Sequence, residues 1–373
     1  MSSIKTISFS GAALEKMKKN SEVSSAVLDA LRSHADKIAA EPRINVTMRK
    51  MRAISGNIHD YSSIGSYWWP NPDTPDGLPY VRRDGILTPL AKDPVTHEKL
   101  CKDIFNLSLA AYYFDEKRYA NAAVEAIYDW FLNPDTYMTP HAEYAQSIPG
   151  ICDGRGIGII DFRFSYYIFD AVFILESLGY IDSNTVNKLK DWYSKFGDWL
   201  LTSENGITED TEPNNHGTWY DALVISIAVF TGREALFKKI CDTAYVRRFS
   251  DQIEPDGSQP LELARTQGML YTLANLEGLI AIADIAEIHG CSEFFKYDEK
   301  YGACALKKAI DFIYPYALSP ETFPYQEINP SAIPERMAYS LVWLDARCPS
   351  ENYGEKAKDF IKEPYLWLAR PFG

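Results

Sequence analysis

Apolar residues recur at three- and four-residue steps along most of this 373-residue chain, while period-two alternation bounded by hairpin turns is nearly absent. That pattern confines the fold to packed helices. Residues 10–40 read as helix through Ala12, Leu14, Met17, Val23, Val27, Leu28 and Leu31. The period returns over 98–130, with Ala120, Ala123, Val124, Ile127 and Trp130, and again over 161–178, 184–202, 218–231, 234–247, 261–289, 301–316 and 331–347. Helices joined two by two suggest a ring of helical hairpins; an irregular bundle or a helical solenoid has the same periodicity. No domain linker or exact internal repeat is evident, so one domain over residues 1–373 is the simplest organisation.

Residues 43–97 lose the helical period. They are rich in Gly, Pro, Asp and Tyr, and include YSSIGSYWWPNPDTPDGLPYVRRDG. A loop this long in a compact protein is usually functional or disordered, and the run Tyr67, Trp68, Trp69 argues against disorder. With His59, Asp60, Tyr61, Tyr80, Arg82 and Arg83, the stretch mixes aromatics with cations, as a lid over an anionic sugar chain would. The simpler use is an N-terminal segment packed across the helices. The 24 Tyr, 18 Phe and 8 Trp divide the same way, between filling a core and lining a carbohydrate groove.

The formal charge of −13 excludes general attraction to nucleic acid, which needs a basic face, but leaves room for a locally positive groove. Cys101, Cys152, Cys241, Cys291, Cys304 and Cys348 are far apart and form no CxxC pair, so buried free thiols are expected. No run of 18 or more apolar residues marks a membrane span, and the start MSSIKTISFSGAALEKMKKN has no signal-like core. An intracellular protein, or a chain beginning after a removed signal, fits both facts. His141 and Glu143 stand two apart without a zincin motif or calcium loop, so no metal site is expected.

Three constellations carry candidate chemistry. The run Asn214-Asn215-His216-Gly217-Thr218-Trp219-Tyr220-Asp221 follows a polar loop and opens an apolar helix. One Asn at such a junction serves as a helix cap; a second beside a His does not need that explanation. His exchanges protons near neutral pH, and an Asn amide hydrogen-bonds a carboxyl group without adding charge. The second constellation spans Glu262 to Tyr271 and holds Arg265; within one helix Arg265 would pair with Glu262 and Tyr271 would be a core aromatic. The third, Cys152-Asp153-Gly154-Arg155-Gly156-Ile157-Gly158, lacks the Lys-Ser/Thr end of a phosphate loop, leaving Arg155 as a carboxylate ligand or an ion-pair partner.

The segments HDYSSIGSYWWPNP, GLPYVRRDG, YAQSIPGICDGRGIGIID, NNHGTWYD and PLELARTQGMLYTLANLEGL together resemble the alginate-lyase-like polysaccharide lyases. The resemblance implies an (α/α) toroid, incomplete or barrel-like, with an aromatic-rich N-terminal lid. It implies β-elimination on a uronic-acid polymer, alginate first and glucuronan second, with no cofactor required. Asn215 and His216 would hold the uronate carboxyl group, Arg265 would support that site, and Tyr271 would sit by the C5 hydrogen and the bridging oxygen. Asn214, Arg155, Tyr67, Trp68, Trp69, Tyr61, Gln146, Arg82 and Trp219 would contact substrate. The Arg–Tyr spacing is six residues here, against seven in better-known alginate lyases. Many relatives are periplasmic, which this N-terminus does not support.

The chemistry is coherent. Neutralising the carboxylate makes the C5 proton removable, and a Tyr phenolate, or His216 from the opposite face, can take it. The enzymatic alternative is a glycoside hydrolase, which needs two placed carboxyl groups, for which Asp153, Asp161, Glu212 and Glu262 are candidates. The non-enzymatic alternative is a protein that binds acidic glycans without turnover.

Overall fold

A computed structural model describes residues 3–291 and 294–372. Among them the helices run in chain order as α1 (Gly11–Asn20), α2 (Ser25–Ala40), α3 (His97–Phe114), α4 (Lys117–Phe131), α5 (Ser165–Ser177), α6 (Ser183–Thr202), α7 (Glu204–Asp210), α8 (Asn215–Thr231), α9 (Glu234–Ala244), α10 (Pro260–Leu263), α11 (Gly268–Ile288), α12 (Ala305–Leu318), α13 (Ile333–Arg347) and α14 (Tyr353–Ala357). Four short strands accompany them: β1 (Ser62–Ile64), β2 (Trp68–Trp69), β3 (Val81–Arg82) and β4 (Tyr144–Ser147). The fold class is all-α, as the periodicity requires. The chain forms two compact units, one of Met1–Ala30, Glu212–Val229 and Arg233–Gly373, the other of Leu31–Thr211 and Phe230–Gly232.

In the second of these units α3 packs against α4 and α5. Ala120, Ala123, Ile127 and Trp130 of α4 are buried, the face its periodicity marks. The core is aromatic: the Phe169 ring stacks on Phe230 at 4.3 Å, and Phe162 meets Phe196 at 5.1 Å. Each such side chain contributes about 1.5–3 kcal/mol of hydrophobic stabilisation. Residues 43–97 are ordered by pairing: β1 runs parallel to β4, and Trp68 and Trp69 of β2 pair antiparallel with Arg82 and Val81 of β3. Buried Arg49 holds the segment from within. Its guanidinium donates to the Ser62 carbonyl at 2.6 Å and to the Val95 carbonyl, and lies 4.4 Å from the Tyr61 ring centre.

In the other unit α11 packs against α10, α12 and α13. By length and composition α11 could cross a membrane, but 78% of its most apolar window is buried, which makes it a core helix. Gly278 lets α8 approach α11: a Cβ there would lie 2.9 Å from Thr218 Cγ2 and 3.2 Å from the Trp219 ring.

Three expected boundaries are corrected. The 10–40 helix is two, because Ser21 adopts φ 52° and ends α1. The loop expected over 202–217 contains α7, capped by the Ser203 hydroxyl accepting from Gly206 N–H at 3.0 Å. With only Gly206 and Glu209 buried, α7 is too short to show a period. The long helix expected over 261–289 breaks between α10 and α11. There Gly268 N–H donates to the Gln326 carbonyl at 2.9 Å and Ile328 N–H to the Thr266 carbonyl at 3.2 Å. Backbone pairing with a segment 60 residues on replaces the helical bonds, and the Glu327 carboxylate caps α11 by accepting from Leu270 N–H at 3.0 Å.

Candidate active site

The Asn-Asn-His run sits where α8 starts. Asn214 is its cap: the side-chain oxygen accepts from His216 N–H at 2.9 Å and the carbonyl from Thr218 N–H at 3.2 Å. Its Nδ2 donates to Glu212 at 3.3 Å, so Asn214 has a structural role at the start of α8, and its side chain is half-buried. Asn215 is buried, with its backbone N–H donating to Glu262 Oε1 at 2.7 Å and its Nδ2 to Oε2 at 2.8 Å. His216 is half-buried. Gly217 is required by packing, since any Cβ would collide with the Glu212 carbonyl and the Arg248 guanidinium. That guanidinium donates to Asp221 at 2.7 Å and to the Glu212 carbonyl at 2.9 Å, fixing the loop ahead of α8.

Arg265 lies in the break between α10 and α11 and Tyr271 in the first turn of α11. The Arg265 guanidinium carbon is 4.1 Å from the Tyr271 ring centre. Arg265 and Tyr271 do not share one continuous helix, on which a six-residue spacing would point the two side chains about 120° apart. The expected Glu262–Arg265 pairing is replaced, because both Glu262 carboxylate oxygens accept from Asn215. Burial pushes the Glu262 carboxyl above its ordinary range, against the Asn215 hydrogen bonds and the charges of His216 and Arg265, which pull it down.

A buried amide network supports these elements. Asn275 Nδ2 donates to Gln252 Oε1 at 2.9 Å and to Gln259 Oε1 at 2.8 Å, Thr218 donates to Gln252 at 3.1 Å, and Gln252 Nε2 to the Asn214 carbonyl at 3.3 Å. This scaffold is not apparent from the sequence motifs. Its one signal is Asn275 standing in the mostly apolar run of α11.

The other expected contacts, Trp219 apart, belong to the second unit. Among the described residues Arg155 forms no ion pair: Nε donates to the Gln146 carbonyl at 3.1 Å and a terminal nitrogen to Gln146 Oε1 at 2.9 Å. Burial and the like charge of Arg82 lower its pKa from the ordinary arginine value. Gln146 holds a left-handed φ of 49°, pinned by its N–H to the Ser63 hydroxyl at 2.8 Å and its Nε2 to Asp161 at 3.3 Å. Tyr67, Trp68 and Trp69 are half-buried and Arg82 is exposed. Arg83 lies 5.0 Å from the Trp69 ring centre. Tyr61 is corrected: only 1% exposed, it donates to Asp161 at 3.1 Å and belongs to the core. Trp219 is corrected too: 2% exposed, it packs beside Gly278. His59 and Asp60 tie down the loop, His59 Nδ1 meeting the Tyr137 carbonyl at 2.6 Å and Asp60 accepting from Ser55 at 2.7 Å and Thr139 at 2.5 Å.

The sequence profile described as Alginate lyase matches residues 45–323. A solved alginate lyase from Bacteroides ovatus is 31% identical, with 98% of this chain and 99% of that one covered and a TM-score of 0.92. Alginate lyase A1-III, as a histidine-to-alanine variant complexed with tetrasaccharide, is 14% identical over 100% of this chain and 98% of that one, with a TM-score of 0.61. The same enzyme from Sphingomonas species A1 is 15% identical over 85% and 86%, with a TM-score of 0.54. The curated proteins contain no match. This chain belongs to the alginate lyase family. It is a polysaccharide lyase, and its fold is the (α/α) toroid class of those structures.

Proposed function

We propose that this lyase cleaves alginate, a polyuronate, by β-elimination. Asn215, His216 and Arg265 neutralise the carboxyl group of the sugar on the acceptor side of the cut, and Tyr271 moves the proton. The C5–H bond breaks toward the Tyr271 oxygen, the electron pair forms the C4–C5 double bond, and the C4–O bond breaks. The proton returns from Tyr271 to the leaving oxygen, so the products carry one unsaturated uronate end and no water is consumed. The observation that carries this reading is the placing of Arg265 against the Tyr271 ring, 4.1 Å from its centre. A free tyrosine ionises near 10, and a neighbouring guanidinium favours the phenolate that abstraction needs.

The hydrolase alternative loses support from the same geometry. Glu262 gives both oxygens to Asn215, and Asp161 accepts from Tyr61, Ser63 and Gln146. Two of the four candidate carboxyl groups are therefore already engaged rather than free for acid–base work. The relatives solved with a tetrasaccharide are alginate lyases, which favours alginate over glucuronan. The test incubates wild type and Tyr271→Phe with mannuronate-rich alginate, guluronate-rich alginate, glucuronan and sulfated glycosaminoglycans, following ultraviolet absorbance and product masses. Wild type is expected to release unsaturated oligouronates from alginate, and the variant to lose most of that activity. Full activity in Tyr271→Phe removes the tyrosine assignment; new reducing ends without absorbance mean hydrolysis.

A further inference from the structure

Glu262 stands on α10, outside the four residues assigned to the reaction, yet its carboxylate is wholly engaged with one of them. Oε1 accepts the Asn215 backbone N–H at 2.7 Å, Oε2 accepts Asn215 Nδ2–H at 2.8 Å, and the residue is 1% exposed. A carboxamide has two ends of opposite hydrogen-bonding sense. Only its nitrogen end donates to a uronate carboxylate; its oxygen end would repel one. A carboxylate accepts and never donates, so it admits only the Asn215 orientation with Nδ2 turned toward it. Two bonds to one residue also fix the plane of the amide, and with it the direction of the second Nδ2 hydrogen. Burying an anion is costly, and here the start of α8 supplies compensating backbone N–H and dipole.

We propose that Glu262 is a positioning residue of the elimination: its carboxylate locks the Asn215 amide in the orientation that donates to the substrate carboxyl group. This rests on the carboxyl-binding role of Asn215 given above. Glu262→Gln keeps the shape but sets an N–H against one of the two Asn215 donors, so the amide is no longer held: if Oδ1 turns inward to accept that N–H, Nδ2 and the hydrogen it offers the substrate swing out of place.

A double-mutant cycle on alginate tests it, with Glu262→Gln, Asn215→Ala and the pair, reading kcat, KM and thermal midpoint. Glu262→Gln is expected to lower kcat about 10²-fold, the scale of one lost transition-state donor, with KM changed less than threefold. The pair is expected to be no slower than Asn215→Ala alone, because the Asn215 amide is already gone. Support of α8 through the backbone N–H alone would persist without the side chain, so multiplying losses overturn the proposal. So does wild-type kcat in Glu262→Gln while Asn215→Ala is impaired. Wild-type kcat in Asn215→Ala instead overturns the Asn215 assignment, and the proposal with it. Should Glu262→Gln not fold, Glu262→Asp goes through the same cycle; it keeps two acceptors one methylene further back and is expected to lose kcat only while Asn215 is present.

Discussion

Arg265, in the turn between α10 and α11, lies against Tyr271 in the first turn of α11, guanidinium carbon to ring centre 4.1 Å. A cation so close to a phenol favours its ionised form. Arg265→Gln removes that charge while keeping much of the length, so the phenolate forms at higher pH. The acid-side limb of the kcat/KM profile is expected to move upward, with kcat at neutral pH falling by about 10²-fold. Initial rates by absorbance across pH measure both; an unmoved limb refutes the pairing's role.

Gly278 holds α8 and α11 together, and so keeps His216 and Tyr271 on helices in contact. In Gly278→Ala the new methyl would meet Thr218 Cγ2 at 2.9 Å. The expected result is a destabilisation of about 1–3 kcal/mol, the usual cost of overpacking, with a loss of kcat larger than any change in KM. Denaturant melts and steady-state kinetics test it. A fully stable, fully active variant means the helices give way freely.

Arg155 is a partly desolvated cation held by two hydrogen bonds to Gln146. Arg155→Lys cannot reproduce the planar fork. If it grips a uronate away from the reacting bond, KM for the polymer is expected to rise about tenfold, equivalent to about 1.4 kcal/mol, with kcat within threefold. An equal fall in kcat at constant KM would place Arg155 in the chemistry instead.

His97 is buried in α3 among Trp130, Phe131 and Phe162, with Cys101 Sγ 3.3 Å from its Nδ1. Burial pushes its pKa down to about 3. The sign follows directly: the unfolded chain takes up a proton near 6.5 and the folded chain does not. Its stability contribution is therefore intact above that pH and is lost as pH falls toward 3, by about 1.4 kcal/mol per unit. His97→Phe is expected to flatten the fall in stability between pH 6.5 and 4 in urea melts. An unchanged slope would mean the histidine is protonated in the fold.

Helical periodicity and the absence of alternating strands were enough to fix the all-α class, while Asn215, His216, Arg265 and Tyr271 came forward as one group only through the resemblance to the alginate-lyase-like family that the NNHG and ELARTQGMLY runs help to carry. These features are local: burial of one helix face repeats every few residues, and a capping Asn announces itself beside the helix it starts. What the sequence left undecided depends on partners far along the chain. The Glu262 carboxylate meets Asn215 from 47 positions away, and α10 ends before α11 because residues 326–328 pair with its backbone. Tyr61 and Trp219 read as sugar platforms by type, and only the packing around Phe162 and Gly278 makes them core. A side chain's chemistry is written in its letter, but whether it meets solvent, a carboxylate or another ring is decided by which distant segments fold against it.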